Sequence, residues 1–309
     1  MSINELKKGY SIAENKTLGR YSKVKLIYFD PDYSEDENDE IDYFHVSGKD
    51  LLEVIPPTIE DKESERDVYF ISGQSGSGKS TFTAQIIDKY RKAGIKHFFA
   101  ITDQEDRRFG KIKYLNIHDF VIPYENDDEE AKIKLYEKEK IKFKHLKKFL
   151  EPDEILKEEL RINELKVKKT PKKSNYQLQF NREELKYIFQ DSVIFFDDYE
   201  TNKDVKLIEV LRDHLLTQSR HYKCNMIIAN HLTNGGPSFK LIKQETTNYV
   251  IFKKSTSHQR EGLFKTYLGF SKRQRNLIDK LLLKSRWVSY NIDNHLAISQ
   301  RVIVNVDSV

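Results

Sequence analysis

The segment Val68-Tyr69-Phe70-Ile71-Ser72-Gly73-Gln74-Ser75-Gly76-Ser77-Gly78-Lys79-Ser80-Thr81-Phe82 decides how the rest of the sequence is interpreted. Its first four residues are β-branched or aromatic, which is typical of a buried strand. A loop of the form G-x-x-x-x-G-K-[ST] follows, and apolar residues then recur at helical spacing: Phe82, Ile86, Ile87 and Tyr90. A strand, a glycine-rich loop and a helix in this order predict a phosphate-binding loop. The alternative is a flexible Gly/Ser turn, which the well-formed flanks disfavour.

Each residue type in this loop has a physical reason to be there. Gly73, Gly76 and Gly78 allow the backbone to curl so that consecutive N–H groups face an anion, and the start of the helix adds its positive dipole end. Lys79 is expected to reach the β- and γ-phosphates of ATP, and the Ser80 hydroxyl to bind Mg²⁺. The predicted nucleotide-binding residues are Gly73, Gln74, Ser75, Gly76, Ser77, Gly78, Lys79, Ser80 and Thr81.

Composition sets the outer limits. With 309 residues, the chain is long enough for one large α/β domain with appendages, or for two domains. The net charge of +4 permits a DNA-binding face without arguing for one. A single cysteine, Cys224, excludes an internal disulfide framework and fits a reducing compartment. No signal-peptide pattern and no apolar run of about 18 residues occurs, so we expect a soluble intracellular protein with no transmembrane segment.

A second chemical landmark is the segment from Ser192 to Glu200, in which four apolar β-formers end in two acids. This is the pattern of a Walker B strand, and it places Asp197 beside the loop as a Mg²⁺ ligand. Asp198 is the candidate general base for the attacking water, with Glu200 a weaker candidate. A kinase needs no base aimed at water, and the distance in sequence from Lys79 leaves room for a further strand. These features favour ATPases with an additional strand and a catalytic acid.

Three further candidate residues lie downstream. Asn230 ends the apolar strand that follows the second landmark, where a polar amide is expected to sense the γ-phosphate; as an alternative, it caps the next turn. Arg220 ends the preceding helical segment and is the first candidate for an arginine that completes a neighbouring subunit's site, with Arg286 second. The alternative for Arg220 is a contact with the helix dipole and the last carbonyl groups.

The flanking regions predict a domain layout. Residues 1–65 are read as a small β-rich appendage, with the acidic run at 35–40 as a solvated loop, and residues 66–309 as the nucleotide-binding domain. Residues 124–180 are Lys/Glu-rich and predict a helical insertion with a basic loop at 166–173. One hypothesis is that the insertion is an arm whose lysines bind along the phosphate backbone of a nucleic acid. A solvated helix with Glu–Lys pairs is favoured, because acids and bases are interspersed.

Four stretches together carry a resemblance to a known family: 73–80, 194–198, 216–221 and 227–231. Together they resemble the FtsK–HerA superfamily of ring-forming ATPases, and within it are most similar to the genome-packaging ATPases of large double-stranded DNA viruses of the poxvirus type. The order of tail elements, at 249–252, 263–269 and 286–288, supports the resemblance. It extends from about residue 66 to residue 304. Asn230 stands where bacterial relatives carry Gln, and the insertion is longer than expected.

The resemblance implies a fold and a function. The fold is an α/β P-loop NTPase with a mostly parallel central sheet flanked by helices, of the type with an additional strand and a catalytic acid. The function is an ATP-hydrolysing motor, dependent on Mg²⁺, that translocates double-stranded DNA into a viral capsid. It would act as a homo-oligomeric ring, pentameric or hexameric, with a capsid or portal-vertex protein as partner. The expected location is the host cytoplasm at virus assembly sites, and the virion. Expected DNA contacts are Lys240, Lys243, Lys253 and Lys254.

Two other classes of function stay open at this point. One is a P-loop enzyme of another sort, either a helicase or a nucleotide kinase. The other is a nucleotide-gated capsid-assembly factor that never moves DNA. The acid pair at 197–198 argues against a pure binding module, because such a module needs the Mg²⁺ ligand but not the base.

Overall fold

The structure of the chain, a computed structural model, describes residues 2–4, 9–18, 23–30, 43–59, 66–123, 127–147, 151–164, 176–231 and 237–308. The predicted acidic loop at 35–40 and the predicted basic loop at 166–173 lie outside these residues. The chain divides into two compact units, one of residues 1–120 together with 180–309, and one of residues 121–179.

Strands occur in both units. In chain order they are β1 (Ser2–Asn4), β2 (Tyr10–Thr17), β3 (Val24–Asp30), β4 (Tyr43–His45), β5 (Asp50–Val54), β6 (Val68–Ser72), β7 (His97–Ile101), β8 (Lys113–Tyr114), β9 (Val121–Pro123), β10 (Tyr176–Leu178), β11 (Ser192–Asp197), β12 (Asn225–Asn230), β13 (Asn248–Phe252), β14 (Trp287–Asn291), β15 (Leu296–Ser299) and β16 (Val302–Asn305). The helices are α1 (Lys79–Lys92), α2 (Asp127–Leu146), α3 (Pro152–Glu164), α4 (Arg182–Phe189), α5 (Val205–Tyr222), α6 (Pro237–Glu245), α7 (Ser257–Glu261) and α8 (Lys272–Lys284).

A ten-stranded sheet forms the centre of the larger unit, in the order β4-β16-β15-β14-β13-β6-β12-β11-β7-β8. The strands from β13 to β8 are parallel, and β14, β15, β16 and β4 extend the sheet in antiparallel fashion. All residues of β6, β12 and β13 are buried, as expected of parallel strands covered on both faces. The predicted α/β fold with a mostly parallel sheet is confirmed.

The position of β12 defines the subtype of the fold. It pairs in parallel with β6 on one side and with β11 on the other, so the strand of the glycine-rich loop and the strand of the acid pair are not neighbours. This is the additional strand that the sequence predicts. The carboxyl ends of β6, β12 and β11 therefore meet at one edge of the sheet, which is where ligands bind in open α/β folds. We call this the carboxyl edge.

Helix α1 follows directly from the glycine-rich loop. Its apolar face, Phe82, Ile86, Ile87 and Tyr90, is buried as the spacing predicts. The helix ends before Gly94, whose φ of +98° is a conformation that glycine adopts without the steric penalty of a Cβ atom. The helix is thereby held on the sheet along its whole length, with its amino end at the carboxyl edge.

The β-rich amino-terminal region is present and forms a four-stranded antiparallel sheet in the order β1-β3-β2-β5. Strand β4 was expected to belong to this appendage. It instead pairs with β16 and forms an edge strand of the ten-stranded sheet. The region shares one apolar core with the nucleotide-binding part, in which Ile12, Ile27 and Leu52 join Phe82 and Ile86. The boundary at residue 65 stays a prediction.

Buried charges also join this amino-terminal sheet to helix α1. The Lys89 ammonium, only 4% exposed, pairs with Glu14 of β2 and, at 3.2 Å, with Glu53 of β5. Lys16 contacts the same Glu53 carboxylate at 2.5 Å. Buried lysines are tolerated when they are paired in this way. The cluster fixes the sheet against the helix that carries the glycine-rich loop.

The smaller unit contains α2, α3 and the two-stranded antiparallel sheet of β9 and β10. Its helices carry the Lys/Glu-rich sequence, and the predicted helical insertion is present. Acids and bases pair within it: Arg161 with Glu139 at 2.5 Å, and Lys147 with Glu159 at 2.8 Å. Among the residues that the structure describes, no helix combines the length and the apolar character that a membrane crossing requires.

A buried carboxyl group, that of Asp67, lies just before β6, at the amino-terminal ends of the parallel strands and opposite the carboxyl edge. Asp67 accepts hydrogen bonds from the hydroxyl groups of Thr58 and Tyr90 and, at 3.4 Å, from the Asn248 amide. Its backbone N–H donates to Asn225 at 2.8 Å. Burial raises the pKa of Asp67 to about 6, although these donors oppose the rise. The group ties the starts of β6, β12 and β13 together.

Asp67 makes the free energy of unfolding depend on pH. Its pKa of about 6 in the folded chain lies above the ordinary value of 3.8, so its contribution is largest below pH 4 and is lost as the pH rises through 6. A shift of this size corresponds to roughly 3 kcal/mol. We expect the stability of Asp67→Asn, measured by urea unfolding from pH 4 to pH 7.5, to rise relative to wild type by about this amount. Asp88→Asn, on the exposed face of α1, is the control. A pH-independent difference would contradict the assignment.

Candidate nucleotide-binding site

The glycine-rich loop has the compact shape that the sequence predicts. A Cβ atom on Gly73 would lie 2.7 Å from the Ser77 hydroxyl oxygen and 2.9 Å from Cβ of Phe252, so only glycine fits there. Gly76 and Gly78 have φ angles of +69° and +109°. Gly78 is the N-cap of α1 and makes no side-chain cap, which leaves the first N–H groups of the helix available to an anion.

The end of β12 joins the two halves of the site. The carbonyl of Ala229 accepts a hydrogen bond from the N–H of Asp198 at 3.0 Å, and the next carbonyl, of Asn230, accepts one from Gly73 at 3.4 Å. Asp198 itself has φ +44°, a left-handed conformation that aspartate adopts more readily than most residues. Strained positions of this kind cluster at functional sites. The glycine-rich loop and the acid pair are therefore positioned by consecutive residues of one strand.

Lys79 lies at the centre of the site and is only 5% exposed. Its ammonium group donates to the carbonyl of Gly73 at 2.9 Å, lies 3.1 Å from Nδ1 of His231, and lies 3.8 Å from Oδ1 of Asp198. Burial lowers the pKa of Lys79, and the charges of Asp198 and then Asp197 oppose this. A buried cation among carbonyl and carboxylate oxygens is a suitable partner for the phosphates of a nucleotide.

Asp197 has the properties of a metal ligand. Burial first, and then the charge of Asp198, raise its pKa to about 7, while the charge of Lys79 lowers it. Its Oδ1 atom is buried and has no hydrogen-bond partner among the residues that the structure describes. A buried carboxylate oxygen without a partner is costly unless a cation or a donor satisfies it. Asp197, with Ser80 at the start of α1, therefore fits Mg²⁺, which prefers oxygen ligands.

Asn230 is fully buried, and neither atom of its side-chain amide makes a well-formed hydrogen bond within the described part of the chain. The Tyr199 hydroxyl lies close enough for the amide to influence its pKa, which burial raises. Tyr199 in turn accepts a hydrogen bond from Arg212 of α5, a guanidinium only 1% exposed. Asn230, the predicted sensor, thus lies next to Tyr199, which is in turn hydrogen-bonded to the buried Arg212 of α5.

The two candidate arginines lie at different places. Arg220, near the end of α5, is exposed, and its charge acts on Arg66, which precedes β6 at the amino ends of the strands. This is the opposite edge of the sheet from Lys79. Arg286 is also exposed, and its carbonyl accepts from Lys253 just beyond β13, at the carboxyl edge. Arg220 therefore lies away from the glycine-rich loop of the same chain. Its predicted role in the site of a neighbouring subunit stays a prediction.

The four lysines predicted to contact DNA differ in their surroundings. Lys243 lies over the rings of Phe239 and Tyr267, and Lys253 donates to a backbone carbonyl in α8 at 3.0 Å. Lys240 and Lys254 are exposed. Their contacts with DNA stay predictions.

Two residues of the site were not assigned roles by the sequence analysis. His231 lies between Lys79 and Asp198, and the signal for it was its place directly after the predicted sensor. Arg108 donates to the Thr81 hydroxyl at 3.3 Å and is held by Asp106 through Nε at 2.9 Å. No sequence pattern identifies Arg108, because it lies in a short 3₁₀ helix after β7, Arg107–Phe109, which carries no recognisable motif.

The strand order, the loop geometry and the position of the acid pair decide the class of fold. The chain has a P-loop ATPase fold. No protein-family model matches the sequence. A relative from Sputnik virophage, named uncharacterized protein V3, is 26% identical over 234 residues, which cover 73% of this chain and 71% of the relative.

Solved structures similar to this P-loop chain include viral and bacterial ATPases. The genome-packaging NTPase B204 from Sulfolobus turreted icosahedral virus 2, in complex with ATP-gammaS, is 11% identical with a TM-score of 0.38, over 76% of this chain and 97% of that one. The cytoplasmic domain of the type VII secretion ATPase EccC from Thermomonospora curvata is 9% identical with a TM-score of 0.40, over 85% of this chain and 27% of that one. Viral packaging ATPases, the group that the sequence motifs resemble, are therefore among the solved structures similar to this chain.

Arg108 provides a test of where the nucleotide lies. Because its guanidinium contacts Thr81 and its charge acts on Asp197, we expect it to turn toward bound phosphates. Arg108→Ala should weaken ATP binding about 10- to 100-fold, the loss expected for one charge-assisted hydrogen bond. Calorimetric titration with a non-hydrolysable ATP analogue measures this. The adjacent exposed Arg107→Ala is the matched control, and equal affinities for the two variants would contradict the placement.

The pKa of Asp197 predicts how Mg²⁺-dependent binding responds to pH. Only the ionised carboxylate binds Mg²⁺, so affinity for Mg·ATP should fall up to about tenfold per pH unit below pH 7. Asp198→Asn removes a charge that raises this pKa and should move the transition to lower pH. The measurement is nucleotide affinity from pH 6 to pH 8 with Mg²⁺, and with EDTA as the control for ionisation of the nucleotide. An unchanged transition in Asp198→Asn would count against this electrostatic coupling.

Proposed function

We propose that the chain is an ATP-hydrolysing motor that translocates double-stranded DNA into a viral capsid. One observation supports ATP hydrolysis. At the carboxyl edge, the Lys79 ammonium lies close to two acids: the partly buried Asp197, which ends β11, and Asp198, which directly follows it. The DNA-translocating part is supported by the motif resemblance to FtsK–HerA packaging ATPases. The similarity to a virophage protein supports a viral setting.

The mechanism assigns a role to each residue of the site. Lys79 leaves the Gly73 carbonyl and donates to the β- and γ-phosphates, while the N–H groups of the loop and of the first turn of α1 hold the other phosphate oxygens. Asp198 accepts the proton of the attacking water as the water oxygen bonds to the γ-phosphorus. The bond to the bridging oxygen breaks, giving ADP and phosphate. Mg²⁺ on Ser80 and Asp197 would supply charge neutralisation at the phosphates.

The remaining residues link hydrolysis to the assembly. Asn230, whose buried amide lies beside the Tyr199 hydroxyl, senses the γ-phosphate. Its neighbour Tyr199 and the buried Arg212 connect that position to α5, at whose far end lies Arg220. In a homo-oligomeric ring, a pentamer or a hexamer, an exposed arginine at that end is placed to complete the site of an adjacent subunit, where such arginines increase the rate by several powers of ten.

The partners in this proposal are double-stranded DNA and a capsid or portal-vertex protein. The setting is the host cytoplasm at virus assembly sites, and the virion. A nucleotide kinase or helicase and a capsid-assembly factor are the competing functions. A kinase has no use for Asp198 as a base aimed at water, and a factor that only binds nucleotide needs Asp197 alone.

The first test concerns hydrolysis. Lys79→Ala removes the cation that neutralises the phosphates, so ATP hydrolysis should fall by at least about 100-fold. The fold should be intact, as shown by circular dichroism and gel filtration, since Lys79 packs no apolar core. Lys92→Ala, an exposed lysine at the other end of α1, is the control. Hydrolysis that survives in Lys79→Ala would refute the assignment of the site.

The second part of the test concerns DNA. The hydrolysis rate is measured with and without long duplex DNA on protein whose mass is determined by light scattering. A motor should be oligomeric and stimulated by duplex DNA. A monomer that is indifferent to DNA and active only with a small phosphate acceptor would identify a kinase, and slow hydrolysis that responds to a capsid protein alone would identify an assembly factor.

A further inference from the structure

We propose that His231 is a positioning residue for hydrolysis, which orients the carboxylate of Asp198 and connects it to Lys79. This inference rests on the proposed ATPase function. Its basis is a pair of simultaneous contacts: Nε2 of His231 lies 2.9 Å from Oδ2 of Asp198, and Nδ1 lies 3.1 Å from the ammonium nitrogen of Lys79. Both ring nitrogens of His231 are therefore engaged, each by one of the two groups on which hydrolysis depends.

The chemistry of the partners fixes which ring nitrogen carries the proton. The Lys79 ammonium has three donors and no acceptor, so Nδ1 of His231 accepts. The proton of the neutral ring is then on Nε2, which donates to the Asp198 carboxylate. His231 therefore has one defined tautomer, which is set by Lys79. In this tautomer the Nε2–H group faces the carboxylate of Asp198 and can orient it.

Asp198 needs such a partner. Its side chain is 42% exposed, and its Oδ1 makes no hydrogen bond within the described part of the chain, because the 3.8 Å to Lys79 is too long for one. The 2.9 Å contact of Nε2 of His231 with the other oxygen, Oδ2, is thus the close side-chain contact that the described residues give to this carboxylate. Without it, rotation about the side-chain torsions would carry the carboxylate away from the attacking water, and a displacement of about 1 Å costs on the order of 100-fold in rate.

The backbone explains why His231 reaches both groups. It is the residue directly after β12, the strand whose last two carbonyls accept from Asp198 and Gly73. Its side chain therefore begins midway between the acid and the loop. When Lys79 turns toward bound phosphates, Nδ1 loses its donor while Nε2 keeps its acceptor, so Asp198 stays oriented through the step that needs it.

The kinetic test compares His231→Ala and His231→Gln with wild type. His231→Ala should lower kcat by about 10- to 100-fold and change the Kd of ATP less than about 3-fold, because the effect lies on the orientation of the base and not on binding. His231→Gln retains an amide donor and should recover part of the loss. His295→Ala is the matched control, since His295 makes a similar contact with Asp307, at 3.3 Å, near the carboxyl terminus.

A double-mutant cycle separates positioning from a structural effect. If His231 acts through Asp198, then His231→Ala should cause no further loss of kcat in the Asp198→Asn background. A further loss equal to that in the wild-type background, or a kcat of His231→Ala equal to wild type, would overturn the proposal.

A spectroscopic readout does not depend on catalysis. In protein labelled with ¹⁵N-histidine, the His231 ring should show the Nε2–H tautomer, and its Nδ1 resonance should shift on Lys79→Ala and on addition of a non-hydrolysable Mg·ATP analogue. A ring protonated on Nδ1, or a resonance unaffected by either change, would refute the link. If wild type does not hydrolyse ATP, the proposed function is wrong, and this measurement still decides whether His231 joins Lys79 to Asp198.

Discussion

The placement of β12 between β6 and β11 is the constraint on which the site depends. Two loops that are far apart in sequence meet at one place, because both are hydrogen-bonded to the end of the same strand. The consecutive carbonyls of Ala229 and Asn230 accept hydrogen bonds from the N–H groups of Asp198 and Gly73, and the parallel ladders on both sides of β12 fix where these carbonyls lie. The strand is buried on both faces, so this register is strongly specified by the core.

The electrostatics of the site favour the bound state. The protein buries Lys79 and Asp197 close together, which lowers the pKa of the lysine and raises that of the acid. Both shifts show that the charged forms are disfavoured by burial and incompletely compensated by each other. In the proposed function, a triphosphate and Mg²⁺ would supply the missing opposite charges to both groups at once.

Sequence patterns identified the elements that follow from local rules. The glycine-rich loop, α1 and the acid-bearing β11 were predicted, because each combines a periodic apolar pattern with a motif of fixed chemistry. The side chains that complete the site were harder to predict, since His231 and Arg108 gain their significance from neighbours distant in sequence. Strand β4 was likewise assigned to the amino-terminal region, whereas its partner β16 lies near the other end of the chain. Pairing over such a distance leaves no local signature.

The ion cluster between the amino-terminal sheet and α1 has a consequence for any attempt to study the nucleotide-binding part alone. A version of the protein starting at residue 66 would lose Glu14 and Glu53, the partners of Lys89, together with Ile12, Ile27 and Leu52, which share a core with Phe82 and Ile86. The apolar face of α1 that this sheet covers would then be exposed to water, which favours aggregation. Such a shortened protein is expected to unfold or aggregate for reasons unrelated to catalysis. Its lack of ATP hydrolysis would therefore not test the proposed motor function.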